Sequence, residues 1–292
     1  MQLTGILPAL VTPFDKSGAV DHDTLASILE YQLKAGVSGF VPLGSTGEYY
    51  ALTNEERRQV LATVKEVVGE RGTLIAGANG SCTREVLEQV KQTVEAGYTN
   101  LLIAPPYYAL PSQEELLAHY RTILETFPEI NLVLYNYPVR TNVEVGMGVV
   151  QALAEHPRVI AIKESSGNLL RAIEIGTNYK DKVQLSCGSD DQALDFFLWG
   201  ASSWICGPAN CFPDQVTDFY RKFASGDLAG AQDVMRSLFP VMASLESGKF
   251  VQKVKYGCEL AGFSAGNARA PLLPLTDEEK AEFRKVFEAS QR

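Results

Sequence analysis

Asn100-Leu101-Leu102-Ile103-Ala104 is a short, almost wholly apolar run. Beyond it, Ser112 precedes Gln113–Glu125, whose apolar residues recur at helical spacing and whose first turn carries Glu114 and Glu115. That is a helix start signal. A second apolar run, Asn131-Leu132-Val133-Leu134-Tyr135, comes next. Runs without apolar/polar alternation suit strands buried on both faces, as in a parallel sheet covered by helices. The same alternation extends in both directions. The remaining strand-like runs are Gly5–Val11, Gly39–Leu43, Thr73–Ala78, Val159–Lys163, Val183–Cys187 and Ser203–Cys206. Helical patterns separate them: His22–Ala35, Asn54–Val68, Thr83–Ala96, Met147–Glu155, Leu169–Thr177, Asp191–Trp199 and, after the eighth strand, Val216–Ala224. Eight strands, each followed by a helix, predict a (β/α)8 TIM barrel over residues 1–225. An open doubly wound sheet is disfavoured, because Val11-Thr12-Pro13-Phe14 after the first strand is no Gly-rich phosphate turn. Helical patterns at Ala229–Leu245, Phe250–Ala261 and Asp277–Ala289 predict a C-terminal helical extension over residues 226–292.

The 292 residues are 46% hydrophobic and 21% charged, which excludes disordered and fibrous classes. Lys and Arg number 26 against 35 Asp and Glu, and no basic run occurs, so no nucleic-acid partner is expected. No stretch approaches the roughly 18–20 apolar residues of a membrane span. No signal-peptide pattern opens the chain, and the five cysteines form neither CxxC nor HExxH spacing. A cytoplasmic protein without membrane partner, metal site or cofactor is the expectation.

In a (β/α)8 barrel the chemistry sits at the C-terminal ends of the strands. Lys163 ends the run Val159-Ile160-Ala161-Ile162. A desolvated lysine in the mouth of a barrel releases the neutral amine that attacks a carbonyl; the alternative is an ion pair with Glu164 or Asp190. Tyr135 ends the preceding strand and suits general acid–base work, or else is a core tyrosine. Gly44-Ser45-Thr46-Gly47-Glu48 offers two hydroxyls and backbone N–H groups for a small carboxylate, unless it is only a turn. Arg140 is a fork for a second carboxylate, or a surface arginine.

With these residues in view the chain resembles the dihydrodipicolinate synthase / N-acetylneuraminate lyase family of class I, pyruvate-dependent aldolases. The resemblance runs from Pro8-Ala9-Leu10-Val11-Thr12-Pro13-Phe14 to Pro271-Leu272-Leu273-Pro274-Leu275. It rests on Gly44-Ser45-Thr46-Gly47-Glu48, Pro106-Tyr107-Tyr108 with Pro111-Ser112-Gln113-Glu114, Tyr135-Asn136-Tyr137-Pro138, and Ile162-Lys163-Glu164. The resemblance implies that Lys163 forms a Schiff base with pyruvate and that Tyr135 shuttles protons. It implies that Ser45 and Thr46 bind the pyruvate carboxylate, and that Gly188 and Ile205 line the pocket. Tyr108 matches a tyrosine supplied to the neighbouring subunit, which implies a homo-oligomer, usually a dimer of dimers. No cofactor or metal is implied.

Arg140 matches the arginine that the synthases use for the carboxylate of aspartate semialdehyde, so condensation of that aldehyde with pyruvate is the leading expectation. Ser45-Thr46, Tyr49-Tyr50, Tyr137 and the stretch Gly248–Lys255 depart from the usual synthase pattern. They keep a 2-keto-3-deoxy-sugar-acid aldolase or dehydratase, or an N-acetylneuraminate lyase relative, as the alternative. A non-catalytic barrel that only binds a keto acid is a second alternative.

Overall fold

In the computed structural model of the chain, which describes residues 2–291, strands and helices alternate as the sequence patterns predict. In chain order they are β1 (Gly5–Pro8), α1 (His22–Ala35), β2 (Gly39–Phe40), α2 (Asn54–Val68), β3 (Thr73–Leu74), β4 (Ala76–Gly77) and α3 (Thr83–Glu95). Then come β5 (Asn100–Ile103), α4 (Gln113–Thr126), β6 (Asn131–Asn136), α5 (Pro138–Thr141), α6 (Met147–Ala154), β7 (Val159–Glu164) and α7 (Leu169–Asn178). β8 (Gln184–Cys187), α8 (Ala193–Leu198), β9 (Ser203–Cys206) and α9 (Pro213–Ala224) complete the alternation. Three helices follow: α10 (Leu228–Glu246), α11 (Phe250–Leu260) and α12 (Asp277–Ala289). Each of the eight predicted runs holds extended residues, the third broken at Ile75 into β3 and β4. Among the described residues no helix is long and apolar enough to cross a membrane.

The described residues form two compact units: residues 2–4 with Leu74–Ile205, and Gly5–Thr73 with residues 206–291. The boundary expected at residue 225 falls inside the second unit, between α9 and α10.

In the first unit β4 to β9 lie side by side in chain order, all parallel. Consecutive residues on these strands are buried, as Leu101, Leu102 and Ile103 are on β5 and Leu132, Val133 and Leu134 on β6. Burial of both strand faces is what the unbroken apolar runs require. Beside this apolar core lies a buried polar network. Glu164 accepts from Asn136 Nδ2 at 2.8 and 3.0 Å, from Arg171 Nε at 3.1 Å and from the Ser166 N–H at 2.7 Å.

In the second unit Ser38 N–H donates to Ile6 O and Val41 N–H to Pro8 O, joining the ends of β1 and β2. Buried Asn210 donates to Ala9 O at 2.9 Å and accepts from Val11 N–H at 3.1 Å, so loop polar groups next to β1 are satisfied without water. Local chemistry sets the helix ends. Thr53 and Glu56 form a reciprocal capping box at the start of α2, and Gly36 closes α1 in the left-handed region at φ 90°.

Candidate active site

Lys163 and Tyr135 come level through a slip in strand register. Leu132 pairs with Val159 but Val133 pairs with Ala161, so one residue of β7 is passed over. From there Tyr135 pairs with Lys163 instead of Ile162. Side chains alternate along a strand, so without the slip the two would face opposite sides of the sheet. As built, both are 6% exposed, and Lys163 Nζ lies 4.6 Å from the centroid of the Tyr135 ring. Tyr137 stacks on Tyr135 with centroids 5.8 Å apart.

The ion-pair alternative for Lys163 is not what the structure holds. Glu164 points the other way along the strand and is committed to Asn136, Arg171 and Ser166. Asp190 accepts from Trp204 Nε1 at 2.9 Å. Lys163 therefore carries a buried amine against an aromatic ring, with no carboxylate partner among the described residues.

Gly188 lies just past β8, its N–H donating to Glu164 O at 2.9 Å. A Cβ there would stand 2.8 Å from Lys163 Cε and 1.9 Å from Ser165 Oγ, so only glycine leaves room for both side chains. Ser165 was not foreseen. It is 5% exposed, and its hydroxyl has no partner among the described residues, which is uncommon for a buried polar group. Its signal in the sequence is its place directly after the strand-terminal Lys163-Glu164 pair. Ile205 is fully buried on β9, one step beyond the Cys187–Trp204 pair.

Two predicted residues of this unit stand apart from that cluster. Arg140 is exposed on α5, its guanidinium carbon 5.9 Å from the centroid of the Tyr137 ring. Tyr108 is 85% exposed, in the irregular stretch before α4.

Ser45 and Thr46 belong to the second unit. Their turn is closed by Gly47 N–H to Gly44 O at 3.1 Å and Glu48 N–H to Ser45 O at 3.2 Å. Thr12 Oγ1 donates to Gly47 O at 2.7 Å, and a Cβ on Gly47 would stand 2.8 Å from Leu10 O. Thr46 is buried, while Ser45 is partly exposed. The turn is thus held from below by the residues after β1, and Gly44 has open space beside it.

All five cysteines are free thiols. Among the described residues no cluster of three His, Cys, Asp or Glu side chains is placed to hold a metal ion.

The sequence profile of the Dihydrodipicolinate synthetase family matches residues 2–290. A 4-hydroxy-tetrahydrodipicolinate synthase of Exiguobacterium is 33% identical over 285 residues, covering 98% of this chain and 97% of that one. The solved dihydrodipicolinate synthase DapA-2 of Bacillus anthracis is 30% identical, with a TM-score of 0.94 over 99% of this chain and 98% of that one. The Acinetobacter baumannii dihydrodipicolinate synthase, solved in complex with pyruvate, is 29% identical with a TM-score of 0.95 over 99% of both chains. The likeness carries the fold: a (β/α)8 TIM barrel with a C-terminal helical part.

Proposed function

This chain belongs to the dihydrodipicolinate synthetase family, a family of class I pyruvate-dependent lyases, and from that premise we propose that it is a 4-hydroxy-tetrahydrodipicolinate synthase. The observation that carries the reading is Lys163: a buried, carboxylate-free amine at a strand end, 4.6 Å from the Tyr135 ring.

The Lys163 amine attacks C2 of pyruvate. The carbonyl oxygen leaves as water, and the imine that remains draws electrons from C3. Tyr135 moves the protons of these steps through its hydroxyl. Loss of a C3 proton gives an enamine, whose carbon adds to the aldehyde of aspartate semialdehyde. The amine of that substrate then displaces Lys163 and closes the ring. Ser45 and Thr46 grip the pyruvate carboxylate through hydroxyls and N–H groups, and Arg140 takes the carboxylate of the aldehyde. Gly188 and Ile205 line the pocket. Tyr108, exposed as it is, serves the site of a second copy in a dimer of dimers. We place the enzyme in the cytoplasm and read residues 1–225 as the barrel and 226–292 as the extension, since α10 to α12 follow the last strand–helix pair.

Borohydride added with pyruvate tests the reading. It should leave one reduced pyruvyl group per chain, on Lys163, with loss of activity. An unchanged intact mass overturns it.

A second reading is favoured by Ser165, whose buried hydroxyl near Lys163 has no partner among the described residues. A sugar-derived aldehyde would supply hydroxyls to pair with it. Turnover of a panel of aldehydes with pyruvate separates the two: aspartate semialdehyde preferred by at least tenfold supports the synthase, and a polyhydroxylated aldehyde preferred overturns it.

A further inference from the structure

The residue that ends the Ser45-Thr46 turn is Glu48, and its setting is unusual. Its backbone lies in the left-handed region, φ 53° and ψ 38°, which residues other than glycine adopt at a cost. Its side chain is wholly buried. One carboxylate oxygen is 2.7 Å from Lys255 Nζ, and the other accepts from the Arg269 N–H at 2.8 Å.

Lys255 projects from α11, where Val251, Val254 and Cys258 are buried with it. Its side chain is 1% exposed, its ammonium donates to Asn267 O at 3.1 Å, and it sits 3.8 Å from the centroid of the Phe14 ring.

A buried ion pair is a poor source of stability, because each charge gives up its hydration and the attraction repays this only in part. Here burial outweighs the attraction of Glu48 and brings the ammonium down to about 8. An apolar pair of the same volume would hold α11 in place at less cost. What an apolar pair would not do is fix a carboxylate, and through it the backbone of Glu48, in one orientation.

We propose that Lys255 and Glu48 are positioning residues for substrate. Their buried pair locks the Gly44–Glu48 turn in the conformation that presents the Ser45 and Thr46 hydroxyls and N–H groups to the carboxylate of pyruvate. The proposal rests on the role given above to Ser45 and Thr46. A turn held in its binding geometry beforehand costs the ligand nothing to order. With the lock removed, that ordering falls on the binding step and not on the chemistry that follows.

The test is the double variant Glu48→Gln/Lys255→Met, which removes both charges at nearly constant volume. The single variant Lys255→Met strands a buried carboxylate and is used only to gauge folding. Wild type and double variant are titrated with pyruvate, and the adduct trapped by borohydride is counted by mass spectrometry beside steady-state kinetics and melting temperature. The expected result is a pyruvate half-saturation and KM raised tenfold or more. Maximal trapping and kcat at saturating pyruvate should change less than threefold, and the melting temperature should be unchanged or higher. A double variant with unaltered KM, or one that fails to fold, gives the pair a structural role and overturns the proposal. A wild type that traps no pyruvate at any concentration overturns the reading of the Ser45-Thr46 turn itself, and the proposal with it.

Discussion

Gly188 and Lys163 are packed so closely that one added methyl on the glycine would come within 2.8 Å of the lysine Cε and 2.9 Å of its Cγ. The smallest residue therefore fixes the path of the lysine side chain that carries the amine. Gly188→Ala should slow pyruvate trapping on Lys163 at least tenfold while leaving far-UV circular dichroism unchanged. An alanine variant that traps at the wild-type rate would show that Lys163 takes another path to its substrate.

Arg140 has no carboxylate partner among the described residues, and its guanidinium is free to meet an anionic aldehyde. Losing that fork in Arg140→Ala should cost about 2–4 kcal/mol in kcat/KM for aspartate semialdehyde. Trapping of pyruvate should survive, since its carboxylate is assigned to Ser45 and Thr46. Equal turnover by variant and wild type removes the assignment of Arg140.

Arg171 is the cation of the buried network around Glu164, and it also donates to Val145 O at 2.7 Å. Arg171→Met leaves a fully buried carboxylate with only Asn136 and the Ser166 N–H to hold it. Breaking a buried pair on one side costs about 3–5 kcal/mol. A urea titration at neutral pH should show the midpoint falling accordingly. A midpoint within error of wild type would mean that the carboxylate finds other partners.

His119 gives the fold an acid-sensitive point. Its Nδ1 lies 2.9 Å from Thr83 Oγ1, Nε2 is buried without a partner among the described residues, and burial brings the imidazole from 6.5 down to about 4. Between those values the unfolded chain holds a proton that the folded chain lacks, so stability falls as pH drops from 6.5 towards 4. The full loss is about 3 kcal/mol. His119→Gln should flatten the dependence of the urea midpoint over this range, and an identical slope in wild type and variant argues against His119 as its source.

The fold was legible where local chemistry decides it. The predicted limits of α1 and α2 match to the residue, because Asp21 and the Thr53–Glu56 box start them and Gly36 and Gly69 stop them. It was least legible where tertiary contacts decide. α5 is four residues long, too short for any apolar period. α9 begins at Pro213, three residues before its apolar pattern, since proline suits a first helical turn whose N–H groups have no partner anyway. Among the site residues, Lys163 and Tyr135 were visible because each ends an apolar run. The register slip that brings them level was not, because it depends on how β6 and β7 pair. Glu48 and Lys255 meet only in three dimensions. Even so, a lysine in the apolar stripe of Val251, Val254 and Cys258 was a readable anomaly.

The composition of the second unit constrains how the chain is born. Gly5–Thr73 find their packing partners in residues 206–291, and contacts such as Asn210 to Ala9 O and Arg269 to Gly18 O bridge that gap. At roughly 5–20 residues per second, a ribosome takes from several seconds to nearly half a minute to make the intervening stretch. Through that interval the faces of β1 and α1 that meet α9 have been synthesised but not covered. The opening quarter of the chain thus waits for its packing partners, and its vulnerability lies in the pace of translation as much as in the stability of the finished fold.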